Sequence, residues 1–401
     1  MSSVLISGAS VAGPALAYWL GRYGYDVTVV ELAPALRPGG HAVDFRGRTH
    51  LTVLERMGVL DDLRRLRTGG SPWRFVDATG RQVAALPAEF AGGELEVMRG
   101  DLAGVLYEHS APRADYIFGD SITALRETDD GVHVEFQHGP ARRFDLVVGA
   151  DGLHSNVRRH ALGSEEQFVR HLGYYIATWS LPNTLNVGET SLMYNVPGKF
   201  ISVGSDHRDR SRGVAMVLFS SERIDYDRND VQQQKAILAE TFAGAGWETP
   251  RVLAALRDAD DLYFDSISRA DVPHWSRGRV VLLGDAAHGA TLGGMGTGAA
   301  IVGAYVLAGE LAASGGDHRA AFGRYEGKLR KYATTCQQGG TRAGRFLAPR
   351  TAGGLAIRNR LFNLRWFVDL NLALGKKVSS DLPLETYPGT DSLRAWPTPS
   401  S

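Results

Sequence analysis

Three glycine turns in this chain carry residue types from which a binding site can be built. The first is Gly8-Ala9-Ser10-Val11-Ala12-Gly13, set between the apolar run Val4 to Ser7 and the small-residue stretch Ala12 to Leu20. In such a turn the first glycine permits a sharp exit from a strand. The middle position is where the backbone approaches a pyrophosphate, and the last glycine lets the helix lie close to the sheet. The unpaired N–H groups at the helix start then face an anion. A second apolar run, Val27 to Val30, ends on Glu31, whose carboxylate can accept hydrogen bonds from a ribose diol. Strand, turn, helix, strand and acid make the dinucleotide-binding fingerprint, with Ser10 where the middle glycine usually stands. Arg37 follows in the loop just beyond Glu31, where a cation can meet a phosphate or the adenosine end of a ligand.

The second turn is Gly149-Ala150-Asp151-Gly152, after the apolar run Leu146 to Val148 and before Ser155 and Arg158. The third is Gly284-Asp285-Ala286-Ala287-His288, after the apolar run in GRVVLLGDAAH. A carboxylate at a strand end, as at Asp285, is an acceptor for hydroxyl donors. Gly294-Met295-Gly296-Thr297 opens a small-residue helix from Gly298 to Ala313. A loop of that kind presents N–H groups and a positive helix end to a group that gains negative charge. Arg99 stands at the start of a helix, where it can meet a phosphate or a sugar chain. His171, Tyr194, His207 and His288 are the titratable groups near these elements, and nothing in the spacing selects one as a base. No catalytic residue is assigned.

These turns need elements to hold them. Residues 51–66 have helical spacing with a break at Gly58, and 73–86 read as a hairpin. Residues 115–147 alternate as a β-meander through YIFG, SITALRE, VHVEFQ and RRFDLVV. Residues 168–222 are rich in Tyr, Trp, Thr and Val without a helical period, the pattern of a second, antiparallel sheet that can offer one face to a ligand. Helices return over 229–257, and YFDSISRADV leads back toward the first domain. An amphipathic helix runs through Tyr332, and LAIRNRLFNLRWFVDLNLAL forms an amphipathic segment before a Pro/Ser tail. The expected fold is α/β, a Rossmann-like domain with a mixed antiparallel-sheet domain and a C-terminal helix. Residues 1–70, 97–167 and 258–345 would form the first, 71–96 and 168–257 the second, and 346–401 a bridging helix and tail.

At 401 residues the chain exceeds one ordinary core. Forty-four basic and 44 acidic residues balance, which offers nothing to nucleic acid or an anionic membrane. One cysteine, Cys336, excludes an internal disulfide and a cysteine zinc cluster, and suits a reducing cytoplasm. No metal site is expected. The sequence does not indicate an oligomeric state.

Taken together and in this order, the three turns resemble those of the single-component FAD-dependent aromatic monooxygenases, the para-hydroxybenzoate hydroxylase class. The resemblance is closest to bacterial members that hydroxylate polyketides or inactivate tetracyclines. It implies that FAD is bound by Gly8, Ser10, Ala12, Gly13, Glu31, Leu32, Arg37, Arg99, Asp151, Gly152, Asp285, Gly294, Met295, Gly296 and Thr297. It implies NAD(P)H as a transient co-substrate, since only one full fingerprint is present. It further implies O2 and a small aromatic or polyketide-like substrate, hydroxylated through a flavin C4a-hydroperoxide. The family's proline after the third turn is missing from Gly289-Ala290-Thr291-Leu292-Gly293. Two alternatives share the fold: a flavin-dependent reductase or dehydrogenase, and a non-redox polyketide-binding or cyclase member. A Baeyer–Villiger insertion would use the same motifs.

Overall fold

The computed structural model describes residues 2–37, 41–291, 295–379 and 382–387. The short apolar runs become buried parallel strands. Ser3–Ser7 lies at the centre of a six-stranded sheet, between Leu146–Gly149 on one side and Asp26–Glu31 on the other. Val280–Leu282 continues the parallel order beyond Leu146–Gly149, and the short Ser276–Arg277 closes that edge antiparallel. Leu5, Val29, Val147 and Val281 are fully buried, as continuous apolar strands covered on both faces must be. Helices Ala12–Arg22 and Gly296–Ala313 pack against each other and belong to the same core. Gly296–Ala313 is long and apolar enough to cross a membrane by composition, and 78% of it is buried inside the protein.

The meander expected over 115–147 is only partly present. Asp115–Phe118 pairs parallel with Asp26–Glu31 and forms the far edge of the main sheet. The antiparallel unit is Ile122–Thr128, Gly131–Phe136 and Arg142–Phe144. Alternation indicates a two-sided strand but not its neighbour, and the main sheet had an open edge to fill.

A seven-stranded sheet runs in the order Tyr263–Ala270, Val169–Pro182, Arg212–Ser220, Lys199–Ser205, Ser191–Val196, Trp73–Val76, Gln82–Leu86. Its pairs are antiparallel except Ser191–Val196 with Trp73–Val76. Residues 263–270, placed above with the dinucleotide-binding domain, are instead the edge strand of this second sheet, hydrogen-bonded along Val169–Pro182. Helices Val231–Thr241 and Thr249–Asp258 cover one face, burying Tyr175, Trp179, Phe219 and Ile201. Part of the other face is closed by Leu347, Phe362 and Val368.

The C-terminal region differs from a single bridging helix. Helix His318–Leu347 runs 30 residues, well past Tyr332. The next segment is two helices, Ala352–Phe362 and Arg365–Ser379, broken at Asn363 and Leu364. Thr351 starts the first by accepting from Gly354 N at 3.1 Å, a side-chain N-cap. The first of these packs on Gln82–Leu86 and the second on Gly47–Met57. Residues 382–387 then return to the main core. Thr49 Oγ1 donates to Leu382 O at 3.1 Å, Tyr305 OH to Glu385 O at 2.7 Å, and Tyr387 OH to Glu310 Oε1 at 2.8 Å.

Candidate active site

The first turn has the geometry that a pyrophosphate requires. Gly8 has φ +106°, and a Cβ there would stand 2.5 Å from Ala150 O. Only glycine fits both demands. A Cβ on Gly13 would overlap the carbonyl oxygen of Gly8, so the helix lies against the turn as closely as a backbone can. Helix Ala12–Arg22 has Val11 as its N-cap, no side-chain cap and no acid in its first turn. Its leading N–H groups are therefore left for an anion. Arg99 Nη2 donates to Ser10 Oγ at 3.1 Å, which places a cation at the turn. Glu31 accepts from Ala9 N at 2.8 Å and Ala33 N at 2.9 Å. A carboxylate has about four lone-pair positions, so it keeps capacity for a diol. Leu32 is 62% exposed beside it, and Arg37 is exposed in the loop that follows.

The second and third turns converge on the first. Ala150 N donates to Ser7 O, and Leu283 N donates to Gly149 O, each at 2.8 Å. A Cβ on Gly284 would sit 3.2 Å from that of Ala12 and 3.1 Å from that of Ala300. The three turns thus share one small volume. Arg158 is 1% exposed and joins two of them, donating from Nη1 to Ala286 O at 2.9 Å and from Nη2 to Leu153 O.

Asp151 and Asp285 have different surroundings. Asp151 accepts from Ser155 Oγ, from Asn156 N at 2.8 Å and from Val157 N at 3.0 Å. Its carboxylate is taken up in starting helix Asn156–Ala161, and burial still pushes its pKa up against those donors. Gly152 takes φ +80° with open space around it, so its role is conformational. The Asp285 carboxylate accepts no hydrogen bond from any described residue, although it heads helix Asp285–His288. Burial pushes its pKa up and the Arg99 guanidinium pulls against that shift. An acceptor without donors, beside a cation, is what a chain of sugar hydroxyls would complete. Gly296 lies next to it, where a Cβ would be 3.2 Å from Asp285 Oδ1. Met295 has φ +51°, a strained position for a side chain, at the uncapped start of helix Gly296–Ala313. Thr297 lies in the first turn of that helix. Gly294 lies outside the described residues, as do Leu292 and Gly293.

The titratable candidates separate. His288 is buried against Trp275, ring centroids 4.8 Å apart, and burial pushes its imidazole down to about 4. It is a neutral core residue. Tyr194 belongs to the helix-covered face, beside Trp247. His171 is engaged with Ser221 O at 2.9 Å. His207 stands beside Asp206 at 3.9 Å, on the loop after Lys199–Ser205. Cys336 is buried, and burial pushes its thiol up to about 11. No metal-binding group of side chains occurs among the described residues.

Sequence spacing missed four residues at this crevice. His41 O accepts from Arg99 N at 3.2 Å, and the His41 side chain is exposed beside it. Tyr263 faces His41, ring centroids 6.5 Å apart, and interacts electrostatically with Arg99 and Asp285. His154, two residues after Gly152, lies 3.3 Å from Asp265 and 3.1 Å from Glu165. Only the edge position of Tyr263–Ala270 brings Tyr263 and Asp265 here.

Comparison with known proteins bears on this crevice. A family described as FAD binding domain matches residues 1–338. The chain belongs to this family of FAD-dependent monooxygenases, and FAD is its cofactor. It is 43% identical over 340 residues to an uncharacterised protein of Mycobacterium tuberculosis, covering 82% of this chain and 90% of that one. It is 36% identical over 343 residues to a flavin-dependent monooxygenase of Legionella longbeachae, covering 84% and 87%. Among solved structures it is similar to the tetracycline destructase Tet(51), with a TM-score of 0.85, 31% identity, and coverage of 96% of this chain and 100% of that one. The enzyme's donors and acceptors fit FAD: open helix starts for the pyrophosphate, Glu31 for the ribose, and the unpartnered Asp285 for the ribityl chain.

Proposed function

We propose that the enzyme hydroxylates a planar, polycyclic phenol or enol of polyketide type, using NAD(P)H and O2. The observation that carries the reading is the Asp285 carboxylate, half-buried and without a donor where three glycine turns meet. The similarity to a tetracycline destructase supports the substrate class. The chemistry that bound FAD supplies is acceptance of hydride from NAD(P)H and delivery of one oxygen atom from O2. The start of Ala12–Arg22 and Arg99 hold the pyrophosphate, and Glu31 accepts from the ribose. Ala12 and Gly13 allow the close approach, with Leu32 and Arg37 at the adenosine end. Asp285 accepts from the ribityl hydroxyls. Asp151 and Gly152 shape the second turn beside it. Met295, Gly296 and Thr297 are assigned to the flavin pyrimidine edge, where the helix start would favour negative charge. We assign residues around the six-stranded sheet to FAD and the seven-stranded sheet to the substrate.

Turnover of tetracycline and of 1,8-dihydroxyanthraquinone with NADPH under isotopically labelled O2 tests this reading. The expected product carries one labelled oxygen atom. Reduction without label would point to a dehydrogenase, and a purified protein that gains no flavin would point to a non-redox member.

A further inference from the structure

Helix Gly47–Met57 carries a buried histidine that the proposed chemistry does not use. His50 is 1% exposed, and both of its ring nitrogens are engaged. Nδ1 accepts from Arg46 N at 3.3 Å, so this nitrogen carries no proton. The proton therefore sits on Nε2, which donates to Tyr332 OH at 2.6 Å. Burial pushes the imidazole down to about 4, so the ring is neutral at pH 7. Tyr332 belongs to helix His318–Leu347 and in turn hydrogen-bonds Cys336, one turn further on. By accepting from Arg46 N, His50 also closes the start of its own helix, as a first-turn side chain does in a capping box.

The His50 ring fills a place that another element leaves open. Gly298 is buried in the first turn of helix Gly296–Ala313. A Cβ built on it would overlap Cε1, Nε2 and Nδ1 of His50, and these three are the nearest atoms to that position. Gly298 does not have a positive φ, so the glycine answers to space rather than to backbone conformation. The imidazole stands where a side chain at 298 would stand. Three residues earlier, Met295 takes φ +51° at the N-cap of the same helix, without a side-chain cap. Gly296, in the same turn, adjoins Asp285. A helix that starts on a strained residue and without a cap is held in place by what packs behind its first turn. At Gly298 that is His50, and Tyr332 fixes His50.

We propose that His50 is a positioning residue for the cofactor: its ring, wedged into the space that Gly298 leaves and anchored on Tyr332, sets how closely the start of helix Gly296–Ala313 approaches the flavin pyrimidine edge. This rests on the assignment of Met295, Gly296 and Thr297 to that edge. The first-turn N–H groups of a helix favour negative charge, and the pyrimidine edge gains negative charge when the flavin is reduced. A helix start that moves back therefore loses more with reduced FAD than with oxidised FAD. His50 acts through the backbone of Gly298 rather than by touching the flavin.

Two measurements test this: the melting temperature of the apoprotein and the midpoint potential of bound FAD, for the wild type, His50→Ala, Gly298→Ala and the double variant. Gly298→Ala drives a methyl into the imidazole and should lower both. It should weaken reduced FAD about tenfold more than oxidised FAD, a fall of about 30 mV for two electrons. His50→Ala removes the wedge and should shift the potential in the same direction. In the double variant the methyl enters the vacated space, so melting temperature and potential should be no lower than in His50→Ala alone. Tyr332→Phe keeps the ring and deletes only the anchoring hydroxyl, and should lower the potential by less than His50→Ala does. Losses that add in the double variant would overturn the interlock of His50 with Gly298. Wild-type midpoint potentials in Gly298→Ala and Tyr332→Phe, with FAD bound, would overturn the positioning role even where His50→Ala does not fold. A wild type that binds no FAD would overturn the cofactor reading and the positioning role with it, while the apoprotein melting temperatures would still report the interlock.

Discussion

The Asp285 carboxylate receives no hydrogen bond from the described residues. Burial without donors raises its pKa, so the folded apoprotein binds this proton more tightly than the unfolded chain. An acid raised in the folded state costs stability once pH exceeds its unfolded value, about 3.9. Asp285→Asn should therefore raise the melting temperature of the apoprotein at pH 7 while weakening FAD about tenfold or more, the worth of a charge-assisted hydrogen bond. Melting curves and a flavin titration on the same sample read both effects. His154 has the opposite sign. Asp265 and Glu165 raise its pKa from 6.5 to about 9 against desolvation. Its contribution to stability is fully present below about 6.5 and is lost as pH rises through about 9. Glu165, lowered from 4.5 to about 2, contributes above about 4.5 and loses that contribution as pH falls toward about 2. Melting temperature measured from pH 6 to 10 should fall less steeply for His154→Gln than for the wild type. Glycines 8, 13, 152 and 284 were legible in the sequence because the backbone alone demands them. The Asp265 partner of His154 was not, since 111 residues separate them and no local pattern marks such a pair.

At the scale of elements, the site depends on how closely helix Ala12–Arg22 lies on its strand. Gly13→Ala would drive a methyl into the Gly8 carbonyl and force the helix away. FAD binding should be lost, with destabilisation of about 3 kcal/mol or more, read by flavin content and chemical denaturation. Gly152→Ala is the contrast: there is room for the methyl, and only the positive φ is penalised, at about 1–2 kcal/mol. Ser3–Ser7, Leu146–Gly149 and Val280–Leu282 were readable because each is a short apolar run leading into a glycine turn, and Asp26–Glu31 because its apolar run ends on an acid. Tyr263–Ala270 was not, because YFDSISRA mixes ionic and hydroxyl side chains along an edge. Among those polar groups, Asp265 pairs with His154 and Tyr263 stands against His41. The helix His318–Leu347 continues past Tyr332 through Gly339 and Gly340, residues that helix propensity disfavours.

Across the whole molecule, residues 382–387 return to the main core, at Thr49 and Tyr305. After Arg365–Ser379, the Tyr387 ring fills the place beside Gly309, where a Cβ would stand 2.2 Å from it. Glu310, 2% exposed, takes Tyr387, Arg324 and Lys328 together, each at 2.6–2.8 Å. Glu310 is held below its usual range by Lys328, Arg324 and Tyr387 acting against desolvation. Truncation after Ser379 would uncover this groove and should lower the melting temperature by about 5 °C or more, from the loss of one buried aromatic and its hydrogen bonds. Tyr387→Phe, which keeps the ring and leaves Glu310 two cations, should cost less than half as much.

All three scales rest on one claim, that distant glycine turns assemble a single FAD site. Titration of the apoprotein with FAD, followed by flavin fluorescence and absorbance, tests it most directly. One FAD per chain, bound on the order of 1 µM or tighter and lost in Gly13→Ala, is the predicted result. No saturable binding, or wild-type binding in Gly13→Ala, would contradict it.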